Sequence, residues 1–230
     1  MLPKITRTTI LLGLAGILGI LLFFVFTVIV RADFFTSFDF DTTHRLQNIT
    51  PLRADAFFSF LSVIGRFEYT LGFLILLLIF VFRNIIGGII TFGLFGFAHV
   101  LELIGKTILD HPGPPNMFLR SHYSDFPGLH VHTEASYPSG HSMRSVILGI
   151  LLLYLIWNAK RIHIVFKLGF TGFVSGIVFL MLYSRVSLGE HWTTDVIGGS
   201  ILGVGIALVS LSFLKIKFFD RNNKDVRVKS

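Results

Sequence analysis

Residues Thr8 to Val30 read TTILLGLAGILGILLFFVFTVIV, without a single charge. A helix rises about 1.5 Å per residue and the hydrocarbon core of a bilayer is about 30 Å thick, so roughly 20 apolar residues are needed to cross it. This run is long enough. It lacks a small-residue cleavage site and exceeds the usual apolar core of a signal peptide, so it reads as a retained anchor. Five further runs follow. Phe57 to Phe82 is interrupted by Arg66 and Glu68, and its first part is expected along the membrane interface before the chain turns inward. Ile85 to Ile104 carries His99 and Glu102, Met143 to Trp157 is short, Ile162 to Tyr183 has Lys167 near its inner end, and Val196 to Leu214 completes the set.

Composition agrees. Of 230 residues, 53% are hydrophobic and 14% charged, whereas a soluble domain carries nearer a quarter charged. The absence of cysteine excludes thiol catalysis, disulfide staples and cysteine-ligated metal. Disorder and collagen are excluded as well. The expected fold is all-α: a polytopic six-transmembrane-helix bundle forming one domain over residues 1–219. Its motif-bearing core spans 85–214, and a polar tail covers 220–230. The sequence carries no feature that sets an oligomeric state.

Six spans put both termini on one side. The segments sharing that side hold Lys4, Arg7, Arg83, Lys160, Arg161, Lys167, Lys215, Lys217, Arg221, Lys224, Arg227 and Lys229, more than half of the 20 basic residues, against only Asp220 and Asp225 among the acids. Basic excess marks the cytoplasmic side. Both termini are therefore expected in the cytoplasm, and the long loop between the third and fourth spans outside it. The net charge of +7 reads as this topology signal plus attraction to anionic headgroups. No basic-aromatic pattern points to nucleic acid.

That long loop, Lys106 to Gly140, is dense in Pro, Gly, His and Asp, and loops of such length are usually functional. The other long connection, Arg31 to Ala56, is polar, mixed in charge and discloses no chemistry.

Three clusters flank the outer ends of the spans. Pro138-Ser139-Gly140-His141 opens the fourth. The first amides of a helix lie unpaired at the positive end of its dipole, and Gly140 lets an anion approach the backbone. His141 then stands where an imidazole can give or take a proton near neutral pH. Pro-Ser-Gly is also simply a good helix start. In Ser184-Arg185, five residues, His191, three residues, Asp195, a helix beginning near Glu190 sets His191 and Asp195 at i and i+4 on one face. The carboxylate can then fix the ring's tautomer and leave its other nitrogen as base or nucleophile, while the Arg185 fork suits phosphate oxygens. The same residues admit a capping arrangement in which Arg185 pairs with Glu190. Lys106, separated by six residues from Gly113-Pro114, offers a point charge for an anion or a side chain that snorkels to the interface.

Taken together, these clusters resemble the integral-membrane branch of the type 2 phosphatidic acid phosphatase superfamily, whose pattern is Lys, six residues, Arg-Pro; Pro-Ser-Gly-His; and Ser-Arg, five residues, His, three residues, Asp. The second and third motifs match in full and in order, and the resemblance covers Lys106 to Asp195. It implies that His191 is the nucleophile forming a phosphohistidine, Asp195 its partner, and His141 the acid that protonates the leaving group. Lys106, Ser139, Gly140 and Arg185 would hold the phosphoryl oxygens. Gly113 departs from the family's arginine. Arg144, one helical turn beyond His141, is a candidate to supply the lost charge, with Arg120 and His111 as looser alternatives.

The resemblance implies a metal-independent phosphatase, since these cations and helix-start amides can neutralise the phosphoryl charge without a metal or other cofactor. Its substrate would be a lipid phosphate or diphosphate reached from the bilayer at the extracytoplasmic face of a bacterial cell membrane. Undecaprenyl diphosphate is favoured over phosphatidylglycerophosphate or phosphatidic acid, because an outward site suits carrier-lipid recycling. Three alternatives keep their place: a lipid phosphotransferase; a metal site on His130-Val131-His132; and a channel or transporter, suggested by the intramembrane His99 and Glu102. Those two residues could equally support the phosphate site.

Overall fold

A computed structural model describes residues 6–80, 85–120 and 135–214. The described chain forms eight α-helices: α1 (Arg7–Arg31), α2 (Thr36–Ile49), α3 (Asp55–Ile64), α4 (Phe67–Phe80), α5 (Ile85–Ile108), α6 (Gly140–Asn158), α7 (Ile164–Ser187) and α8 (Thr193–Phe213), with short 3-10 turns at Leu52–Ala54 and Asn116–Phe118. The only pairing of extended backbone among the described residues is an isolated bridge between Pro112 and Ala135. The His130-Val131-His132 segment and the 220–230 tail lie outside the described residues.

Five helices, α1, α5, α6, α7 and α8, are long and apolar enough to cross a membrane. The sixth expected span is broken: the α3 and α4 segments pass that test only as a pair bent by 55°. The break falls at Gly65-Arg66, and with Glu68 two positions beyond Arg66 it lies where charge interrupts the apolar run. The remaining boundaries move by a turn at most. The third span continues to Ile108, so Lys106 is helical, and the fourth begins at Gly140.

In α1 the buried residues are Gly16, Phe23 and Val30, one every seven residues. That spacing makes a single narrow seam. The rest of the helix presents side chains such as Leu11, Leu14 and Val28, each more than half exposed, which in lipid is a matched environment. The seam faces α8. Lipid supplies no hydrophobic drive between helices, so close packing of small residues must hold them. A Cβ on Gly16 would lie 2.7 Å from the Gly205 carbonyl oxygen and 2.6 Å from Val209 N. Hence glycine at both positions lets the backbones touch. On another side of α8, Gly199 packs against the carbonyl oxygen of Ser139, just ahead of α6, and Gly203 against that of Met143 in its first turn.

The Arg31 to Ala56 connection is more structured than its composition announces. It contains α2, whose Asp39 is buried. Gln47 Nε2 donates to the Phe118 and Ser187 carbonyl oxygens at 2.6 and 3.0 Å, and Thr50 Oγ1 lies 2.6 Å from the Tyr183 hydroxyl. These bonds clamp α2 over the turn between α7 and α8.

Candidate active site

The three sequence clusters meet at one end of the bundle, where α5 and α7 finish and α6 and α8 start. Backbone bonds hold them together. Ser139 N–H donates to the Asp195 carbonyl at 3.0 Å, joining the start of α6 to that of α8, and Met143 N–H returns to the Ser139 carbonyl at 3.1 Å. The Ser139 side chain makes no cap; its Oγ accepts from Ser142 Oγ at 3.1 Å.

The turn carrying His191 hangs from Arg185. Glu190 and His191 N–H both donate to the Arg185 carbonyl, at 3.1 and 3.2 Å. Gly189 has φ of 69°, a left-handed conformation that costs a side chain dearly. A Cβ there would also sit 2.1 Å from the Phe118 carbonyl oxygen. One expectation needs correction: α8 begins at Thr193, so His191 precedes the helix instead of standing within it. The reason is Asp195, whose Oδ2 accepts the Trp192 N–H at 2.8 Å and so stops the helix there. The i and i+4 partnership nevertheless survives, with His191 Nδ1 at 3.4 Å from Asp195 Oδ2. At that length it is a close electrostatic contact short of a full hydrogen bond. Nε2 is the ring nitrogen on the side away from that contact.

Asp195 is fully buried, with His111 Nε2 at 3.3 Å from its other oxygen. His111 is therefore a neighbour of the carboxylate, which is not the place foreseen for it as a substitute phosphate ligand. Burial opposes charge on the His111 ring, but the neighbouring Asp195, Asp39 and Asp33 outweigh this and raise its pKa above the ordinary histidine value. Arg120 is likewise committed elsewhere. Its Nε donates to Asp55 Oδ2 at 3.0 Å, and its other nitrogens donate to the Gln47 and Thr50 carbonyls.

Arg185 has no exposed surface. Its NH1 donates to Ser62 Oγ at 2.6 Å and also reaches Glu190 Oε2, the pairing foreseen by the capping alternative, while Nε and NH2 reach Ser184 Oγ. His141 Nε2 lies 3.1 Å from the Ser62 carbonyl; a carbonyl only accepts, so this nitrogen carries the proton. His141 also lies within electrostatic reach of Arg185, Arg144, His191 and Lys106.

Lys106 Nζ donates to Glu102 Oε1 and Arg144 NH1 to Glu102 Oε2, both at 2.8 Å, and His99 Nδ1 lies 3.0 Å from the same Oε2. That carboxylate sits against the start of α6, where a Cβ on Gly140 would fall 2.0 Å from Oε1. Arg144 therefore has an acid partner beside the site, and Glu102 with His99 supports its cations. Sequence reasoning did not anticipate Ser62, Asp39 or Gly65, whose carbonyl lies 3.5 Å from Arg144 Nε and NH2. They come from α2, the end of α3 and the α3–α4 break, where no motif marks them.

Such an arrangement offers a free imidazole nitrogen backed by a carboxylate, a second imidazole carrying a proton, and three cations beside a helix start. The chain belongs to the PAP2 superfamily, whose family model matches residues 72–218. It is 30% identical over 156 residues to the phosphatidylglycerophosphatase B of Bacillus subtilis (strain 168), covering 65% of this chain and 66% of that one. It is 34% identical over 152 residues to the undecaprenyl-diphosphatase of Sulfolobus acidocaldarius, covering 66% of each. The chain thus spans about two thirds of the length of the curated relatives it matches. Two solved structures share the fold at 21% identity. The transmembrane PAP2-type phosphatidylglycerolphosphate phosphatase from Bacillus subtilis has a TM-score of 0.63 over 85% of this chain and 94% of that one. Aquifex aeolicus LpxE has 0.57 over 76% and 96%.

Proposed function

We propose that this protein is a membrane phosphatase that hydrolyses a lipid phosphate or diphosphate through a phosphohistidine on His191. The observation that carries the reading is the meeting of His141, His191 with Asp195, Arg185 and Lys106 at one end of the bundle, from four separate segments.

Phosphoryl transfer needs an in-line nucleophile, charge stabilisation on the equatorial oxygens and a proton for the leaving group. Neutral His191 attacks phosphorus through Nε2, and the P–O bond to the lipid, or to phosphate in a diphosphate, breaks. His141, entering the step as the imidazolium, gives its Nδ1 proton to the departing oxygen while its Nε2–H stays on the Ser62 carbonyl. Lys106, Arg185, Arg144 and the Gly140 amide balance the charge on the phosphoryl oxygens, with Ser139 beside them. Water then attacks phosphorus, His141 takes its proton, the P–N bond breaks, and phosphate leaves with His191 restored. An acid and a base that exchange roles in this way produce a bell-shaped pH profile.

The basic excess on the side of the termini supports a site at the extracytoplasmic face, where a headgroup would reach the cations while its chains stay among the helices. An isoprenoid diphosphate such as undecaprenyl diphosphate is the favoured substrate, supported by the relative named for that activity. Phosphatidylglycerophosphate is the second reading, supported by the Bacillus relative.

Purified protein given undecaprenyl diphosphate, phosphatidylglycerophosphate and phosphatidic acid separately, with a strong chelator present, is expected to release inorganic phosphate, fastest from the first. His191→Ala is expected to abolish both release and covalent phosphate labelling. Full activity in that variant, or transport of lipid without hydrolysis, would contradict the reading.

A further inference from the structure

The Asp195 carboxylate faces two imidazoles, one on each oxygen: His191 Nδ1 at 3.4 Å from Oδ2 and His111 Nε2 at 3.3 Å from Oδ1. The geometry points to His111 as a positioning residue for the phosphoryl-transfer step, one that engages Asp195 opposite His191 and sets how much of the carboxylate's charge the nucleophile feels. This rests on the proposed role of His191 as nucleophile.

His111 is held where it stands. Its carbonyl accepts the Ser136 N–H at 3.0 Å, the adjacent Pro112 bridges to Ala135, and the Pro112 carbonyl accepts Trp192 Nε1–H at 2.8 Å. Its ring meets Tyr137 edge-on at 6.1 Å. These ties run to the segment entering α6 and to the residue after His191, so the ring is fixed relative to both. Asp195 needs such a neighbour, because a carboxylate without exposed surface is costly unless its charge is compensated. Oδ2 has the Trp192 N–H; for Oδ1 the approach of His111 is the closest compensation among the described residues.

The charged and titratable groups around this array come from four directions. Asp39 of α2 acts on both Asp195 and His111, Asp33 ahead of α2 acts on His111, and Tyr137 faces Asp195. His191 also faces His141 of α6. The acids around His111 favour its protonated ring, which sets an N–H toward Asp195 Oδ1 at 3.3 Å, short of a full hydrogen bond. A carboxylate shared by two such rings holds the His191 proton less tightly than one serving His191 alone. His191 must be neutral to attack phosphorus. His111 therefore extends the working range of the nucleophile toward acid.

The test measures phosphate release from dioctanoyl phosphatidic acid and from farnesyl diphosphate across pH, for the wild type, His111→Phe and His111→Gln in detergent micelles. In His111→Phe the acid limb of kcat/KM is expected to move up by about one pH unit, with the plateau within about tenfold of wild type. In His111→Gln, whose amide N–H can reach Oδ1, the limb is expected to return toward its original position. A lowered plateau with an unmoved limb would overturn the proposal, since that is what a purely structural residue produces. Should neither variant fold, 15N-labelled histidine rings in the wild type give the same answer. Coupled titration of His111 and His191 is expected, and independent titration would overturn the proposal. A wild type that forms no phosphohistidine brings down the nucleophile reading along with this one, whereas an unmoved limb in an active, labelled enzyme removes only the role of His111.

Discussion

Arg144 and Glu102 face each other at 2.8 Å between α6 and α5, each side chain only 5% exposed. The same carboxylate receives Lys106 at 2.8 Å and His99 at 3.0 Å. One buried anion thus holds together two of the cations assigned to the phosphoryl group. Removing one partner of a buried ion pair leaves the other charge uncompensated, at a cost of about 3 to 5 kcal/mol. Glu102→Ala is therefore expected to lose about 3 kcal/mol or more of stability, and Glu102→Gln less, because its amide still offers an oxygen acceptor. Denaturant unfolding in micelles checks this; equal stability of the Ala variant and the wild type would remove Glu102 as the keystone.

Ser62 serves two site residues with two different atoms: its Oγ accepts from Arg185 NH1 at 2.6 Å and its carbonyl faces His141 Nε2 at 3.1 Å. Ser62→Ala removes the first and keeps the second. A hydrogen bond to a charged group contributes roughly 1.5 to 3 kcal/mol. The variant is expected to lose about tenfold in kcat/KM, with the pH of the acid limb unchanged because His141 and His191 keep their surroundings. Steady-state kinetics across pH decides, and an unaltered kcat/KM would show that Glu190 and Ser184 suffice to hold Arg185.

The spans were legible because a bilayer imposes one length and one composition on every crossing helix, as in Thr8 to Val30. His141, His191, Asp195 and Arg185 were legible because their spacings along the chain are local. Glu102 could be suspected from its place in an apolar span, although its link to Arg144 crosses to another helix. Ser62 and Gly65 were hidden for a different reason. They enter the site only because the chain bends between α3 and α4, and a serine or glycine in an apolar run carries no signal of its partner. Asp39 was hidden by sequence distance, since its partner Thr194 lies at the far end of the chain.

Asp39 caps α8 from outside, Oδ1 accepting Thr194 N–H at 2.9 Å and Oδ2 accepting Thr194 Oγ1 at 2.6 Å. Loss of such a cap costs about 1 kcal/mol, up to roughly 2. Asp39→Ala is expected to be destabilised by that amount and to slow turnover severalfold by loosening the turn that carries His191. Burial raises the Asp39 pKa above its ordinary value, the Thr194 bonds offsetting only part of this. A carboxyl whose folded pKa is raised contributes its full stability below the unfolded pKa and loses it as pH rises through the folded one. Wild type should therefore lose its advantage over Asp39→Asn as pH rises from the acid range toward neutrality. Unfolding free energies at several pH values test the sign, and a growing advantage would reverse the assignment.

Gly16 tests whether the first helix serves the fold or the chemistry. A Cβ there would fall 2.6 Å from Val209 N and 2.7 Å from the Gly205 carbonyl oxygen, both backbone atoms that cannot swing aside. Overpacking of this kind costs about 1 to 3 kcal/mol. The link from α1 to the site runs through Tyr137, just ahead of the Pro-Ser-Gly-His turn: Thr27 Oγ1 lies 3.0 Å from its hydroxyl, and the Phe23 ring stacks on its ring at 6.1 Å. Gly16→Val, some three helical turns from Thr27, is therefore expected to lower stability by about 2 kcal/mol while kcat of the folded fraction stays within about threefold of wild type. Thr27→Val should do the reverse, sparing the α1–α8 seam but lowering kcat by loosening Tyr137. Thermal unfolding and phosphate release measured on the same preparations separate the two effects. If Gly16→Val lowers kcat more than Thr27→Val does, the seam itself, and not the Tyr137 contact, transmits α1 to the active site.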